Sequence, residues 1–253
     1  MVITRGLRDD GACAPKGERL SLYQGTAQAK GGSAAAYSID LISSQDERNA
    51  ACALINAKYG WRGYGSDHQL SSNVMSVGFS ASIQDQMVGT LSLTVDSHAG
   101  LSVDETFAEE LAELRATPGT RLCELTKFAF AEDVQSMHVL ASLFHTIFIY
   151  GTTRHRCTDL VIEVNPRHIR FYEVMLSFEK LGGLRTNAAV DAPSQLMRLR
   201  VEDIGRHIEQ HHGGTGAAAR RRSLYPYFLT AAQEYLIHER MADLDRRWPF
   251  TEI

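Results

Sequence analysis

Three runs decide the fold: RLCELTKFAF (121–130), MHVLASLFHTIFIYG (137–151) and DLVIEV (159–164). The first and third have the length and β-branched content of strands, and the middle run is too long and too evenly apolar to be one. A strand, a helix and a strand in succession form a right-handed crossover, with the two strands parallel in one sheet. A helix apolar on every side is a buried one.

Outward from this unit the elements are shorter but readable. Val77, Phe79, Ala81 and Ile83 alternate with small polar residues, a polar turn follows at Asp85-Gln86, and Val88–Val95 continues as the second strand of a hairpin. Upstream, Tyr37–Ile42 reads as a strand, and Ala51, Leu54, Ile55 and Tyr59 recur at helical spacing over Gln45–Tyr59. Asp104–Arg115 reads as an amphipathic helix, Ile169–Leu176 as another, Gln195–Val201 as a strand, and Ser223–Arg246 as a Tyr-Pro-Tyr turn leading into a helix. A hairpin feeding a βαβ unit makes a mixed α/β (α+β) sheet flanked by helices. Residues 1–36 are rich in Gly, Ala, Lys and Ser and are expected as a flexible leader holding at most one short ordered piece. The folded domain is expected over 37–204. A loop is expected over 205–222, which carries Gly213, Gly214, Gly216 and Arg220–Arg222, and a C-terminal helical extension packed on the same domain over 223–253.

Bulk properties exclude several roles. The formal net charge of −4 argues against non-specific nucleic-acid binding. No apolar run reaches the roughly 18 residues that cross a bilayer, so no transmembrane segment is expected, and at most a weak surface contact with membrane. The N-terminal residues carry Arg5, Arg8, Asp9 and Asp10 with no apolar stretch, which leads to the expectation of a cytoplasmic address. Cys13, Cys52, Cys123 and Cys157 are widely spaced and are expected as reduced thiols, those at 123 and 157 in the core. His211 and His212 have no Cys or carboxylate at ligand spacing, so no metal site is expected.

The element order is similar to that of the GNAT acyltransferases. Val164-Asn165-Pro166-Arg167-His168-Ile169-Arg170-Phe171-Tyr172, followed by Ser177-Phe178, resembles the strand–loop–helix segment of that family, with Ser177 where Gly is usual. Glu124-Leu125-Thr126-Lys127-Phe128 resembles the E-x-[ST]-R-[FL] strand of acyl-homoserine lactone synthases, with Lys127 in place of arginine. Taken with Tyr59–Tyr64, the pattern over residues 37–200 is most similar to the N-acyl amino acid synthases of the FeeM type. That resemblance implies an N-acyltransferase that joins a medium or long acyl chain to the amine of an amino acid, with tyrosine or another hydrophobic residue as acceptor. A lactone synthase and a non-catalytic acyl-binding protein are the alternatives.

The same resemblance implies site residues. Tyr172 would protonate the leaving thiolate. Glu124 is the candidate base or ammonium-orienting group, a carboxylate among apolar neighbours that would be costly without a partner or a function; a structural ion pair is the plainer reading. Strand alternation puts Glu124 and Lys127 on opposite faces, so if both serve the site a bulge has to shift the parity between them. The oxyanion donor is then expected near Phe128–Phe130. Trp61, Tyr64, Asn165 and His168 are further substrate-binding candidates; the plainer reading of Asn165 is a residue that turns the chain before Pro166.

GNAT enzymes that use coenzyme A usually hold its pyrophosphate on a glycine-rich loop. The matching segment here, Glu132–His138, has no glycine and two carboxylates. The expected donor is therefore a phosphopantetheine-linked acyl group on acyl carrier protein, less so acyl-coenzyme A, with no cofactor bound by the enzyme itself. Arg154, Arg156, Arg167 and Arg170 are the candidate contacts for that acidic partner.

Overall fold

The computed structural model describes residues 19–28, 34–60, 67–131, 136–211 and 223–247. One eight-stranded mixed sheet organises them, in the spatial order β1-β2-β3-β4-β5-β6-β8-β7. The strands are β1 (Leu20–Gln28), β2 (Ala34–Leu41), β3 (Ser76–Ile83), β4 (Gln86–Val95), β5 (Leu122–Phe130), β6 (Asp159–Val164), β7 (Glu179–Asn187) and β8 (Ala192–Arg200). The helices are α1 (Gln45–Gly60), α2 (Asp104–Ala116), α3 (Met137–His155), α4 (Ile169–Leu176), α5 (Val201–His211) and α6 (Ala231–Arg247). Only β5 and β6 pair in parallel, as the crossover through α3 requires.

Local chemistry explains the boundaries. Ser44 and Glu47 form a capping box at the start of α1: Ser44 Oγ accepts from Glu47 N at 3.2 Å and Glu47 Oε2 accepts from Ser44 N at 2.9 Å. The β3–β4 hairpin turns on Gln84 and Asp85, both with positive φ, the geometry that matches strand twist. Ser136 caps α3, and Arg156, at φ 51°, ends it in the left-handed conformation.

The two faces of the sheet differ. On one face α3 is buried over Val139 and Ala141–Gly151, against Leu91, Leu93, Cys123, Leu125, Leu160 and Ile162. Its far side is covered by Leu224, Tyr225, Phe228, Leu229 and α6, so this helix is apolar all round because it is enclosed on both sides. His145 fixes the cover: its ring stacks on Phe228 at 4.6 Å and its Nδ1 accepts from Leu229 N at 2.9 Å. On the other face, two smaller apolar clusters sit under α1 and α2. Between them runs a strip of small polar side chains, of which Asp40, Ser80, Thr90, Ser92, Thr94 and Glu124 are buried.

Three expectations are corrected. Within 1–36, expected to hold at most one short ordered piece, residues 20–28 form edge strand β1, whose period-two pattern is broken by a bulge between Ser21 and Tyr23, and β2 already begins at Ala34. Residues 205–211, read as loop, continue helix α5. The strand β7 was not foreseen, because this exposed edge strand buries none of its side chains. The cysteines differ as well: Cys123 and Cys157 form a disulfide, with Cα atoms 6.2 Å apart, rather than two reduced thiols. The left-handed cap at Arg156 turns the chain so that Cys157 comes back over the start of β5.

Candidate active site

The strands β5 and β6 pair only over Leu122–Glu124 and Asp159–Val161. Beyond that they part. On its other side β5 loses one register step against β4: Thr90 faces Ala129, yet Ser92 faces Thr126. An extra residue therefore bulges from β5 at Lys127–Phe128, and Lys127 adopts φ 57°. A left-handed lysine costs about 1–2 kcal/mol, and strain of this kind concentrates at functional positions. The bulge resolves the parity conflict in the sequence. Cys123 and Leu125 face α3 before it, Phe128 and Phe130 face α3 after it, and Ala129 packs with α1.

A cavity of about 60 Å³ opens where the strands separate. Leu125, Ile162, Val164, Phe144 and Tyr172 line it from the α3 side. Thr126, Lys127, Glu163 and Tyr59 line it toward α1 and α2. The apolar side is aromatic in depth: Phe128 lies 5.3 Å from Phe144 and stacks on Phe171 at 6.3 Å, and Phe171 meets Tyr172 edge-on at 5.1 Å. The polar side is braced by Tyr59, whose hydroxyl donates to Phe128 O at 3.2 Å.

Burial raises the Tyr172 hydroxyl above the ordinary tyrosine range. It stays protonated at neutral pH and so has a proton to donate. Lys127 is shifted the other way: partial burial lowers its ammonium, and Glu124 opposes that shift.

Glu124 lies elsewhere. It is 2% exposed, and its carboxylate accepts from Ser102 Oγ at 2.6 Å and Ser102 N at 2.8 Å. Burial pushes its pKa up to about 7, against the hydrogen bonds from Ser102 and Val103. It is not among the residues that line the cavity, and its bonds pin the loop entering α2.

Of the other residues singled out from the sequence, Lys127, Phe128 and Tyr172 meet at the cavity. Phe130 does not: its ring lies against Gly89, where a Cβ would fall 2.6 Å from it. Asn165 turns the chain, accepting from Arg167 N at 3.2 Å and donating to Pro193 O at 3.2 Å. His168 precedes α4, and its Nε2 accepts from Arg167 Nε at 3.3 Å. Trp61, Tyr64 and residues 132–135 lie outside the described residues.

The four arginines separate into two pairs. The 19-residue α3 runs back along the sheet for about 28 Å, so Arg154 and Arg156 sit at the opposite end of the strands from the cavity. There Thr158 Oγ1 accepts from Arg121 N at 2.9 Å, and Arg154 pairs with Asp245 on α6. Arg167 and Arg170 are exposed at the start of α4, beside Tyr172. The sequence reading missed Glu163 and Thr126 as cavity residues. Parity along β6 could have found Glu163, which shares a face with Val161 near the end of the strand.

A sequence profile for the N-acyl amino acid synthase FeeM matches residues 50–200. The chain belongs to the FeeM family. It is an acyltransferase with a mixed α/β fold. Among solved structures, FeeM itself, an N-acyl amino acid synthase from uncultured soil microbes, is 27% identical with a TM-score of 0.59, covering 66% of this chain and 93% of that one. The acyl-homoserine lactone synthase LasI is 12% identical (TM-score 0.49; 65% of this chain, 90% of that one). An N-acetyltransferase from Staphylococcus aureus Mu50 is 11% identical (TM-score 0.45; 66% and 98%). No curated protein sequence matches the chain. Among the described residues no helix is long and apolar enough to cross a membrane, and no three His, Cys, Asp or Glu side chains cluster as metal ligands would.

Proposed function

We propose that this FeeM-family chain transfers a medium- or long-chain acyl group from the phosphopantetheine arm of acyl carrier protein to the amine of a hydrophobic or aromatic amino acid. The observation that carries the reading is the two-sided cavity at the β5–β6 separation, apolar toward Tyr172 and polar toward Lys127 and Glu163. A thioester reaching in from the α4 side would put its sulfur near Tyr172, which donates a proton as the carbon–sulfur bond breaks. Backbone N–H groups of the bulge, freed from a regular ladder, suit the developing oxyanion. Lys127, opposite, suits the acceptor carboxylate, and Tyr59 and Phe128 favour an aromatic acceptor side chain. At about 60 Å³ the cavity is far smaller than a long acyl chain, so binding one requires the aromatic layer to open.

Support for the carrier-protein donor is the acidic, glycine-free stretch Glu132–His138, together with exposed Arg167 and Arg170 at the α4 end. The expected experiment is mass spectrometry of lipid extracts from cells expressing the chain, against an empty-vector control. New masses equal to fatty acid plus amino acid minus water are predicted. Acylated lactone would replace the acceptor assignment, and an unchanged lipid profile with folded protein present would contradict the proposal.

A further inference from the structure

Both β5 and β6 offer a carboxylate to the polar side of the sheet, Glu124 and Glu163. They are close enough that the negative charge of Glu163 helps raise the pKa of Glu124. Their partners differ. Glu124 accepts from Ser102 Oγ, Ser102 N and Val103 N and is sealed beneath α2. Glu163 is half-buried and lines the cavity. Its one hydrogen-bond donor among the described residues is Asn187 on β7, which reaches Oε1 at 2.8 Å and leaves Oε2 without a protein partner. Across the same cavity stand Lys127 on β5, Tyr59 from α1 and Tyr172 from α4.

On the reading of the site as an amine acyltransferase, we infer that Glu163 is the carboxylate that receives the acceptor's ammonium and takes its proton, and that Glu124 is a positioning residue. The pairing of Glu163 with Lys127 then selects a zwitterionic α-amino acid, ammonium to Glu163 and carboxylate to Lys127. The acceptor arrives as an ammonium and releases its first proton through Glu163 to solvent. The neutral nitrogen attacks the thioester carbon, and a carbon–nitrogen bond forms. The nitrogen passes its second proton to Glu163, the carbon–sulfur bond breaks, and the sulfur leaves as thiol with a proton from Tyr172. Solvent then returns that proton to Tyr172 and removes the one held by Glu163, so the balance is thioester plus amine to amide plus thiol. Asn187 holds Oε1 so that the free oxygen faces the nitrogen.

The test supplies purified protein with long-chain acyl thioesters of acyl carrier protein and of coenzyme A, plus a mixture of amino acids, and measures amide by mass spectrometry. Glu163→Gln is expected to lower turnover by about 100-fold or more at unchanged thermal stability. The same variant is expected to lose less toward hydroxylamine, an amine already neutral at pH 7 that needs only the second of the two deprotonations. Glu163→Asp is expected to recover about tenfold over the Gln variant. Wild-type turnover in Glu163→Gln, or an equal loss toward amino acids and hydroxylamine, would overturn the inference while leaving the acyltransferase reading intact. A wild-type protein that forms no amide from any donor would overturn that reading, and this inference with it.

Discussion

The two halves of the β5–β6 pair are built from the same strands and do opposite things. In the lower half Leu122–Glu124 and Asp159–Val161 are in register, Cys123 is bonded to Cys157, and Asp159 accepts from Arg198 Nε at 2.7 Å. Every charged group there has a partner. In the upper half the register is lost, Lys127 is strained, and Glu163, at the cavity, has one oxygen with no partner among the described residues. Glu124 and Glu163 differ by one alternation along adjacent strands, yet one carboxylate holds a loop and the other is open to a ligand. Residue type alone does not assign a role; the donors around it do.

Opening the lower half should cost stability most. Cys157→Ser, or reduction of the disulfide, is expected to lower unfolding free energy by about 3–4 kcal/mol, from the chain entropy of a loop closed over this separation. Urea unfolding with and without reductant checks it, and equal midpoints would show that the two halves do not differ in this way.

The next effect belongs to Glu124. Its pKa is raised from 4.5 to about 7, so the folded state binds more protons than the unfolded chain between these values. Wild-type stability should therefore fall as pH rises through that window, by about 1.4 kcal/mol for each unit of displacement at most. Glu124→Gln lacks that titration. Its stability relative to wild type is expected to improve from pH 5 to pH 8, and a pH-independent difference would mean that Glu124 is not protonated in the folded protein.

In the upper half, Tyr172→Phe removes the proposed proton donor and keeps the ring contacts with Phe171 and Phe178. Turnover is expected to fall by about 10- to 100-fold with folding unchanged, read as release of free thiol. The smallest effect is at the end of α4. Ser177 sits at φ 63°, a left-handed cap that glycine adopts freely, which gives a physical reason for the glycine usual at this place in similar chains. Ser177→Gly is expected to stabilise the protein by about 1 kcal/mol in thermal unfolding. A destabilised variant would mean that the serine hydroxyl is needed there.

The sequence made the crossover legible, because α3 is apolar through more than three turns and its flanking strands are plain Leu-Val-Ile and Leu-Cys-Glu-Leu runs. It also made the bulge legible as a condition, since Glu124 and Lys127 could not otherwise share a site. It hid β7, whose residues face solvent, and β1, whose bulge breaks the alternation. It hid the disulfide, because Cys123 and Cys157 come together only through the turn after α3. The motif-like string around Glu124 drew attention to that residue and away from Glu163, which lines the cavity. Only the separation of the strands shows which carboxylate meets a cavity. The location of Arg154 and Arg156 was hidden for a related reason: proximity in sequence to the crossover conceals that α3 carries them to the far end of the sheet.

The central claim is that the opening between β5 and β6 is where acyl transfer occurs. Thr126 lines that opening and is only partly buried, so Thr126→Leu fills the cavity with little burden on the core. The decisive measurement is amide formation from acyl carrier protein thioester and amino acids, by mass spectrometry, for wild type and Thr126→Leu at matched thermal stability. The account predicts amide from the wild type and a loss of about 100-fold or more in the filled variant, the scale of a displaced reacting group. Equal amide from both proteins would place the chemistry elsewhere and contradict it.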